Sequence, residues 1–437
     1  MTDCTADQLS FPSFDRRKIE ASFQGGDVSS DGGLPLLRQA DALLGLSAAI
    51  DNALVDPRDP ERITHRQIDL IRQRVYGIAQ GYEDLNDHDT LRRDPLWQTA
   101  VERNDDLASA PTLCRLEGRS DRDAAVAISK IFVERFIDSF TEAPKELILD
   151  FDATDDRVHG LQEKRFFHGY YRHYCFLPLY VFCGDQLLVS YLRPSNIDPA
   201  KHAWAILKLL SQRLREAWPK ARIVFRGDSG FCRWRMFRWC ERNDIDYVVG
   251  IGKNARLLEL AGKLMRRAER EHERLRVKRR VFNWVDYAAD TWDRKRRIIV
   301  KAEHSRLGAN PRFVVSNLKG RPGRIYDRIY CARGEMENRI KEQQLGLFAD
   351  RTSCRHWWAN QLRLLLSSAA YVLLDTIRRV GLKGTELARA QVGTIRLKLL
   401  KVGAIILRNT RRIRLLLSSG FAYQEIYRQV VRRLAPG

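Results

Sequence analysis

No stretch of this chain is long and apolar enough to cross a bilayer: the best run, Leu364 to Leu374, is short and broken by Ser367 and Ser368, against the roughly 20 residues a spanning helix needs. The start of the sequence lacks the basic opening and apolar core of a secretory leader, since Asp3, Cys4 and Asp7 precede any hydrophobic stretch. The chain is therefore expected in the cytoplasm. Cysteine is scarce, eight in 437 residues, and no Cys-x2-Cys pair occurs. That excludes a disulfide scaffold and argues against structural zinc. With 14 Pro and 27 Gly the chain is no low-complexity polymer. Acid is in deficit: 55 Asp+Glu against 76 Lys+Arg leave a formal charge of +21, which points to a polyanionic partner. The 44% hydrophobic content suffices for two or three cored domains.

Residues 1–142 read as mostly helical. Leu36, Leu37, Leu43, Leu44 and Ile50 mark one helix over Leu34 to Leu54, and Ile68, Ile71, Val75 and Ile78 mark a second, capped by Thr64. A short helix opening at Ser109 with Pro111 just inside, followed by a longer one from Arg122 to Phe140, suits either a helix-turn-helix reader exposing Thr112 and Arg115 to a DNA groove or a plain helical pair.

At Glu146 the period changes. Glu146 to Asp152, Tyr174 to Phe182 and Leu187 to Leu192 read as three strands able to pair antiparallel. Helix Ala200 to Trp218, with Trp204, Leu207, Leu214 and Trp218 on one face, strand Ala221 to Phe225, helix Arg233 to Arg242 and strand Asp246 to Ile251 follow. This is the element order of a ribonuclease-H-like sheet, expected over 143–254 and resuming over 323–376. Between them, 255–322 reads as a charged helix and three strands of a small separate sheet, a β-rich insertion. Residues 377–437 form a basic region expected to be helical, including Arg411 and Arg412. The expected fold class is α/β: an interrupted ribonuclease-H-like core between an N-terminal helical domain and a basic helical C-terminal region.

Two acids fall where strands end. Asp152 closes Asp150-Phe151-Asp152, and Asp228 follows Phe225-Arg226-Gly227. Alternation places Asp150 and Asp152 on one face and Phe151 in the core. Glu337 lies on a helix read from Tyr326 to Phe348, where Tyr330, Arg333, Glu337, Lys341 and Gln344 recur at spacings of three and four, with Ile329, Ile340 and Leu347 toward the core. Converging, the three carboxylates make a hard-oxygen site for two Mg²⁺ or Mn²⁺ ions and in-line displacement at phosphorus. Read singly, the helix is a solvated charged face.

Together these residues resemble a family. Tyr330-x2-Arg333-x3-Glu337 resembles the Tyr-x2-Arg-x3-Glu-x6-Lys signature of DDE transposases from bacterial insertion sequences. Asp152-Ala153-Thr154 and Gly227-Asp228-Ser229-Gly230-Phe231 resemble its two aspartate motifs. Val28-Ser29-Ser30-Asp31-Gly32-Gly33-Leu34 and Asp155-Asp156-x2-His159-Gly160 resemble one branch of the family. The resemblance selects Asp152 over Asp150 and Glu337 over Glu335 as catalytic and metal-holding. It implies Tyr330 and Arg333 as DNA contacts, with Lys341 standing in for the final Lys, since Gln344 occupies that position. It also implies a β-rich insertion whose Trp284 or Trp292 stacks on a flipped base, the other reading being core filling.

The implied activity is cleavage at terminal inverted repeats and joining of the 3′-hydroxyl to target DNA, by a homodimer on double-stranded DNA in the nucleoid. The alternatives are a nuclease or resolvase with the same acids but no strand transfer, and a non-catalytic DNA-binding descendant.

Overall fold

The computed structural model describes residues 8–435. Among them, two compact units form. One comprises the segments up to Ser47, Pro57–Leu116 and from Thr376 onward; the other comprises Ala48–Asp56 and Glu117–Asp375.

The first unit is less helical than its composition suggests. It opens with a hairpin, Leu9–Phe14 against Arg17–Ala21, in which Leu9 faces Ala21 and Phe11 faces Ile19. The helix expected over Leu34 to Leu54 ends at Leu44, because Gly45 turns left-handed (φ 59°), and a second helix starts at Leu46. Helix Gln67–Gln80 is capped two residues beyond Thr64, at Arg66, whose backbone N–H donates to the Asp69 carboxylate at 3.2 Å.

The C-terminal region, expected to be helical, instead contains paired strands Ala404–Arg408 and Ile413–Leu417 before a terminal helix, Gln424–Leu434. The β-branched, alternating run around Ile405 and Ile406 outweighs its basic surroundings. The strand Ala404–Arg408 also pairs with Val28–Ser29. Gly32 and Gly33 then donate to the carbonyls of Val402 and Leu400 (2.8 and 2.9 Å). A Cβ at Gly33 would lie 2.3 Å from the Leu400 Cα, so this close approach requires glycine.

The second unit is built on a nine-stranded mixed sheet. Its long strands are β1 (Glu146–Ala153), β2 (Leu179–Cys183), β3 (Gln186–Tyr191), β4 (Arg222–Gly227), β5 (Asp246–Ile251), β6 (Arg279–Tyr287), β7 (Arg296–Ser305) and β8 (Arg312–Ser316). They lie in the order β6-β7-β8-β5-β4-β1-β2-β3, with Gly308–Ala309 pairing β7. Strands β1, β4 and β5 are mutually parallel, whereas β2 and β3 run as an antiparallel hairpin turned at Gly184 (φ 60°). The later helix-strand alternation occurs in the order the sequence implies, but the strand expected over Tyr174 to Phe182 splits at Leu177-Pro178: its second part is β2, whereas His173–Phe176 pairs with Phe166–His168 in a separate three-stranded sheet.

The strands expected to form a separate small sheet do not: β8 pairs antiparallel with β5 and carries β7 and β6 outward on the same sheet. The physical reason is β5, whose interior residues Tyr247 to Gly250 are all buried, so its second edge needs backbone partners that water cannot supply.

Helices α1 (Arg122–Asp138), α2 (Ala203–Ala217), α3 (Trp234–Arg242) and α4 (Ala255–Leu275) share one core with Leu147, Leu149, Phe151, Ile223, Phe225 and Val249. In α2 the buried face is Ala203, Leu207, Leu210 and Leu214; Trp204, expected there, is 50% exposed. The opposite sheet face, with Val224, Val248, Ile299 and Val314, packs against Ile325 and Tyr326. Those two residues begin the segment leading to α5 (Gly334–Lys341), which is followed by α6 (Trp357–Thr376).

Candidate active site

Register brings the two aspartates together. In the parallel pair β1 and β4, Ile148 faces Val224, Asp150 faces Arg226 and Phe151 faces Gly227, so Asp152 and Asp228 each come one residue later, at the carboxyl ends of neighbouring strands. Phe151 is fully buried against Phe225 and Phe231, which turns Asp150 and Asp152 to the other face.

The column of side chains on that face changes character along the strands. Ile148 and Val224 give it an apolar floor. Next, the Arg226 fork grips both oxygens of Asp150 in a buried pair and also donates to the Ile329 carbonyl. Last come Asp152 and Asp228. Asp228 accepts from the Gly230 N–H at 2.9 Å, capping the turn Ser229–Phe231.

The third acid arrives on an irregular helix. Rather than the continuous α-helix expected from Tyr326 to Phe348, the chain runs through a π-turn (Ile325–Tyr330), a 3₁₀ turn (Cys331–Arg333), α5 and a second π-turn (Glu342–Gly346). Met336 and Ile340 seat α5, Leu347 is buried beyond it, and Ile329 packs on the sheet.

Arg333 links the acids. Its Nη1 donates to Asp152 Oδ2 at 3.0 Å and its Nη2 to Glu337 Oε1 at 2.6 Å. The Asp152 side chain is only 13% exposed. Burial pushes its carboxyl up to about 7; Arg333 opposes the shift, and the negative charges of Asp228 and Glu337 add to it. Burial disfavours the Arg333 cation, but Asp152 and then Glu337 hold it more firmly protonated than usual. Tyr330 titrates above its ordinary range through burial, with Asp228 contributing. Its hydroxyl fits because β5 carries Gly250, where a Cβ would come within 2.5 Å of it.

Asp152, Asp228, Glu337, Tyr330 and Arg333 are therefore neighbours. The two decoys separate: Asp150 is consumed by Arg226, and Glu335 is exposed. Lys341 is exposed, while Gln344 donates to the Asp155 carbonyl at 3.0 Å, so the five helix residues do not share one face. The π-turn after α5 moves Gln344 off the α-helical stripe. Trp292 packs edge-on to Phe237 and Tyr287 (6.0 and 5.5 Å). Trp284 lies under the Arg297 guanidinium at 3.9 Å and donates to the Gly320 carbonyl. In the other unit, Arg115, Arg411 and Arg412 are exposed, and Thr112 is half-buried with its hydroxyl 3.3 Å from that of Ser109.

Sequence reasoning missed Arg226, Gly250 and Tyr171. A charged residue inside an otherwise apolar strand was the available signal for Arg226. Tyr171, pushed up to about 12 by burial and by Asp155 and Asp152, stands beside the first acid, where His173 Nε2 and Asp155 Oδ2 pair at 2.8 Å.

Among the described residues, no three His, Cys, Asp or Glu side chains are disposed to hold a metal ion together. The donor set nevertheless suits one. All three groups are carboxylates, the type hard divalent ions take. Their mutual repulsion at Asp152 is charge that a cation would relieve.

The family model described as transposase DDE domain, group 1, matches residues 11–436, nearly the whole chain. This chain belongs to the DDE transposase family. It is thus a DNA transposase, of a family whose members cleave DNA with divalent metal ions. A solved structure, a piggyBac transposase synaptic complex with hairpin DNA studied by cryo-EM, is similar at TM-score 0.48 and 11% identity, covering 93% of this transposase and 85% of that chain. The family assignment rests on the family model alone. Among curated proteins, none matches the transposase. No helix of the described residues is long and apolar enough to cross a membrane.

Proposed function

We propose that this protein is the transposase of a bacterial insertion sequence, with Asp152, Asp228 and Glu337 as its catalytic acids on a ribonuclease-H-like core. It would bind the element's terminal inverted repeats, cleave them and join the freed 3′-hydroxyl to target DNA. The observation that carries this reading is that Arg333 bridges Asp152 and Glu337 while the charges of both Asp228 and Glu337 act on the buried Asp152. The strand order β3-β2-β1-β4-β5 supports the core assignment.

In this reading, Asp152, Asp228 and Glu337 would hold two Mg²⁺ or Mn²⁺ ions. When bound, these supply activation of a water or 3′-hydroxyl and stabilisation of the leaving oxygen. The protein supplies the rest. Adjacent strand ends fix two carboxylates, and the Arg226 clamp on Ile329 holds the third-acid segment against them. Tyr330 and Arg333 face the same place, where a guanidinium fork can orient a phosphate. The net charge of +21, with exposed Arg115, Lys341, Arg411 and Arg412, supports phosphate contacts along a duplex. Both ends must be cut together, so a homodimer on DNA in the nucleoid is expected. Trp284 and Trp292 would reach a flipped base only by leaving their present packing.

The test supplies a pre-cut end bearing a 3′-hydroxyl with Mg²⁺ and a second duplex. Covalent joining is expected, and Asp228→Asn should abolish it while leaving DNA binding intact. Cleavage without joining would make the protein a nuclease or resolvase. An Asp228→Asn variant as active as the parent would remove the catalytic assignment.

A further inference from the structure

We propose that Arg333 is an exchangeable counter-ion. It occupies Asp152 and Glu337 in the DNA-free protein and transfers to a DNA phosphate when a divalent ion takes the acids, so that metal and DNA bind cooperatively. This rests on the reading of Asp152, Asp228 and Glu337 as the metal-holding acids.

The geometry is specific. Two different nitrogens of one guanidinium reach two acids that come from separate elements, a strand end and a helix. The i, i+4 spacing keeps the fork over Glu337, while Asp152 is reached across the gap to the sheet. Asp228 stands outside this arrangement, turned to the Gly230 N–H. Arg333 holds one oxygen of each carboxylate, and the other Asp152 oxygen accepts from the Ala153 N–H, so a cation entering here competes with the guanidinium for the same acids and repels it.

Displacement alone is unfavourable, because the Arg333 side chain is only 19% exposed and would be left as a poorly hydrated cation without a partner. A phosphate removes that penalty, since its oxygens match the same planar fork. Metal entry is then favoured by DNA, and by linkage DNA binding is favoured by metal to the same degree. Such coupling would keep the acids neutralised, and hydrolysis off, until a strand is in place.

The test is Mn²⁺ binding to the full chain, read from the free-ion electron paramagnetic resonance signal at pH 8, with the parent, Arg333→Gln, Arg333→Lys and Asp152→Asn compared. Without DNA, Arg333→Gln is expected to bind Mn²⁺ about tenfold tighter than the parent, with Arg333→Lys between them, although both cleave more slowly. Saturating duplex should tighten Mn²⁺ binding to the parent by about tenfold, after correction for ions held by DNA, and leave Arg333→Gln within about twofold. A merely structural role would weaken metal binding and cleavage together. Equal or weaker Mn²⁺ binding by Arg333→Gln overturns the exchange; should that variant fail to fold, the same comparison for Arg333→Lys decides. If Asp152→Asn binds Mn²⁺ as the parent does, the metal-site reading itself fails, a result distinct from failure of the exchange.

Discussion

Asp31 and Asp152 are both largely buried acids inside short motifs, yet the two units treat them in opposite ways. Asp31 is served completely: Lys401 Nζ reaches one oxygen at 2.6 Å, and Trp97 Nε1 and the Tyr82 hydroxyl donate to the other at 2.8 and 2.9 Å. Its charge is matched, and the Gly32-Gly33 contact beside it joins the N-terminal helix to the C-terminal segment. Asp152 has half of one guanidinium, the Ala153 N–H at 2.9 Å and two further acids nearby. A buried acid with every donor it needs holds a fold together. One that is short of cations among like charges is poised to take a ligand.

The largest effect should come from exchanging the charge at each. Asp152→Asn is expected to lower cleavage by about a thousandfold or more, equivalent to about 4 kcal/mol of transition-state stabilisation, while the melting temperature holds or rises. Gel-based cleavage alongside calorimetry checks both. Loss of activity explained entirely by unfolding would erase the contrast.

Asp31→Asn should do the reverse. Lys401 loses its partner in a largely buried setting, so stability in urea should fall by about 3 kcal/mol, with the specific activity of the folded fraction unchanged. Asp150→Asn is an internal control on β1: it strips the buried Arg226 of its partner and is expected to behave like Asp31→Asn in stability rather than like Asp152→Asn.

This control also marks the limit of what the sequence could say. Alternation put Phe151 inward and Asp150 with Asp152 outward, and that much was legible. Choosing between the acids required the register against β4, because it is Arg226 opposite Asp150 that consumes one carboxylate and leaves the other. The order of β1 to β5 along the chain was readable from local patterns; that β1 lies beside β4, and that Tyr174 to Phe182 divides between two sheets, was not. The attachment of β8 to β5 was not, since three antiparallel strands carry no mark of which edge they join. The C-terminal strands were hidden by composition: counting arginines obscured the alternation of Ile405 to Leu407. The π-turns around α5 were likewise invisible to a helical period, which is why Lys341 and Gln344 were placed on a common face.

The pH dependence sharpens the comparison on a smaller scale. The Asp152 carboxyl is raised in the folded protein to about 7, so between pH 4 and 7 the native state holds a proton that the unfolded chain has released. Stability should therefore decline as pH rises through that window, and Asp152→Asn should remove the decline. Activity should run the other way, rising about tenfold per unit below pH 7 and levelling above it, because only the ionised carboxylate takes a cation. Higher Mg²⁺ should move the midpoint down by competing with the proton. A midpoint independent of Mg²⁺ would place the titrating group away from the metal.

Gln344→Lys should give the smallest change. The signature that this segment resembles has Lys at this position, so a gain of activity is the expectation from motif matching alone. Here the Gln344 side chain braces the Asp155 carbonyl three residues beyond Asp152, and the π-turn sets it on a different line from Arg333 and Glu337. A lysine can keep that hydrogen bond through its ammonium, so the exchange should alter stability by less than about 1 kcal/mol and cleavage by no more than a few-fold. A large gain in strand joining, measured with pre-cut ends, would mean that the position reaches DNA in the complex, and that the carbonyl contact belongs only to the DNA-free form.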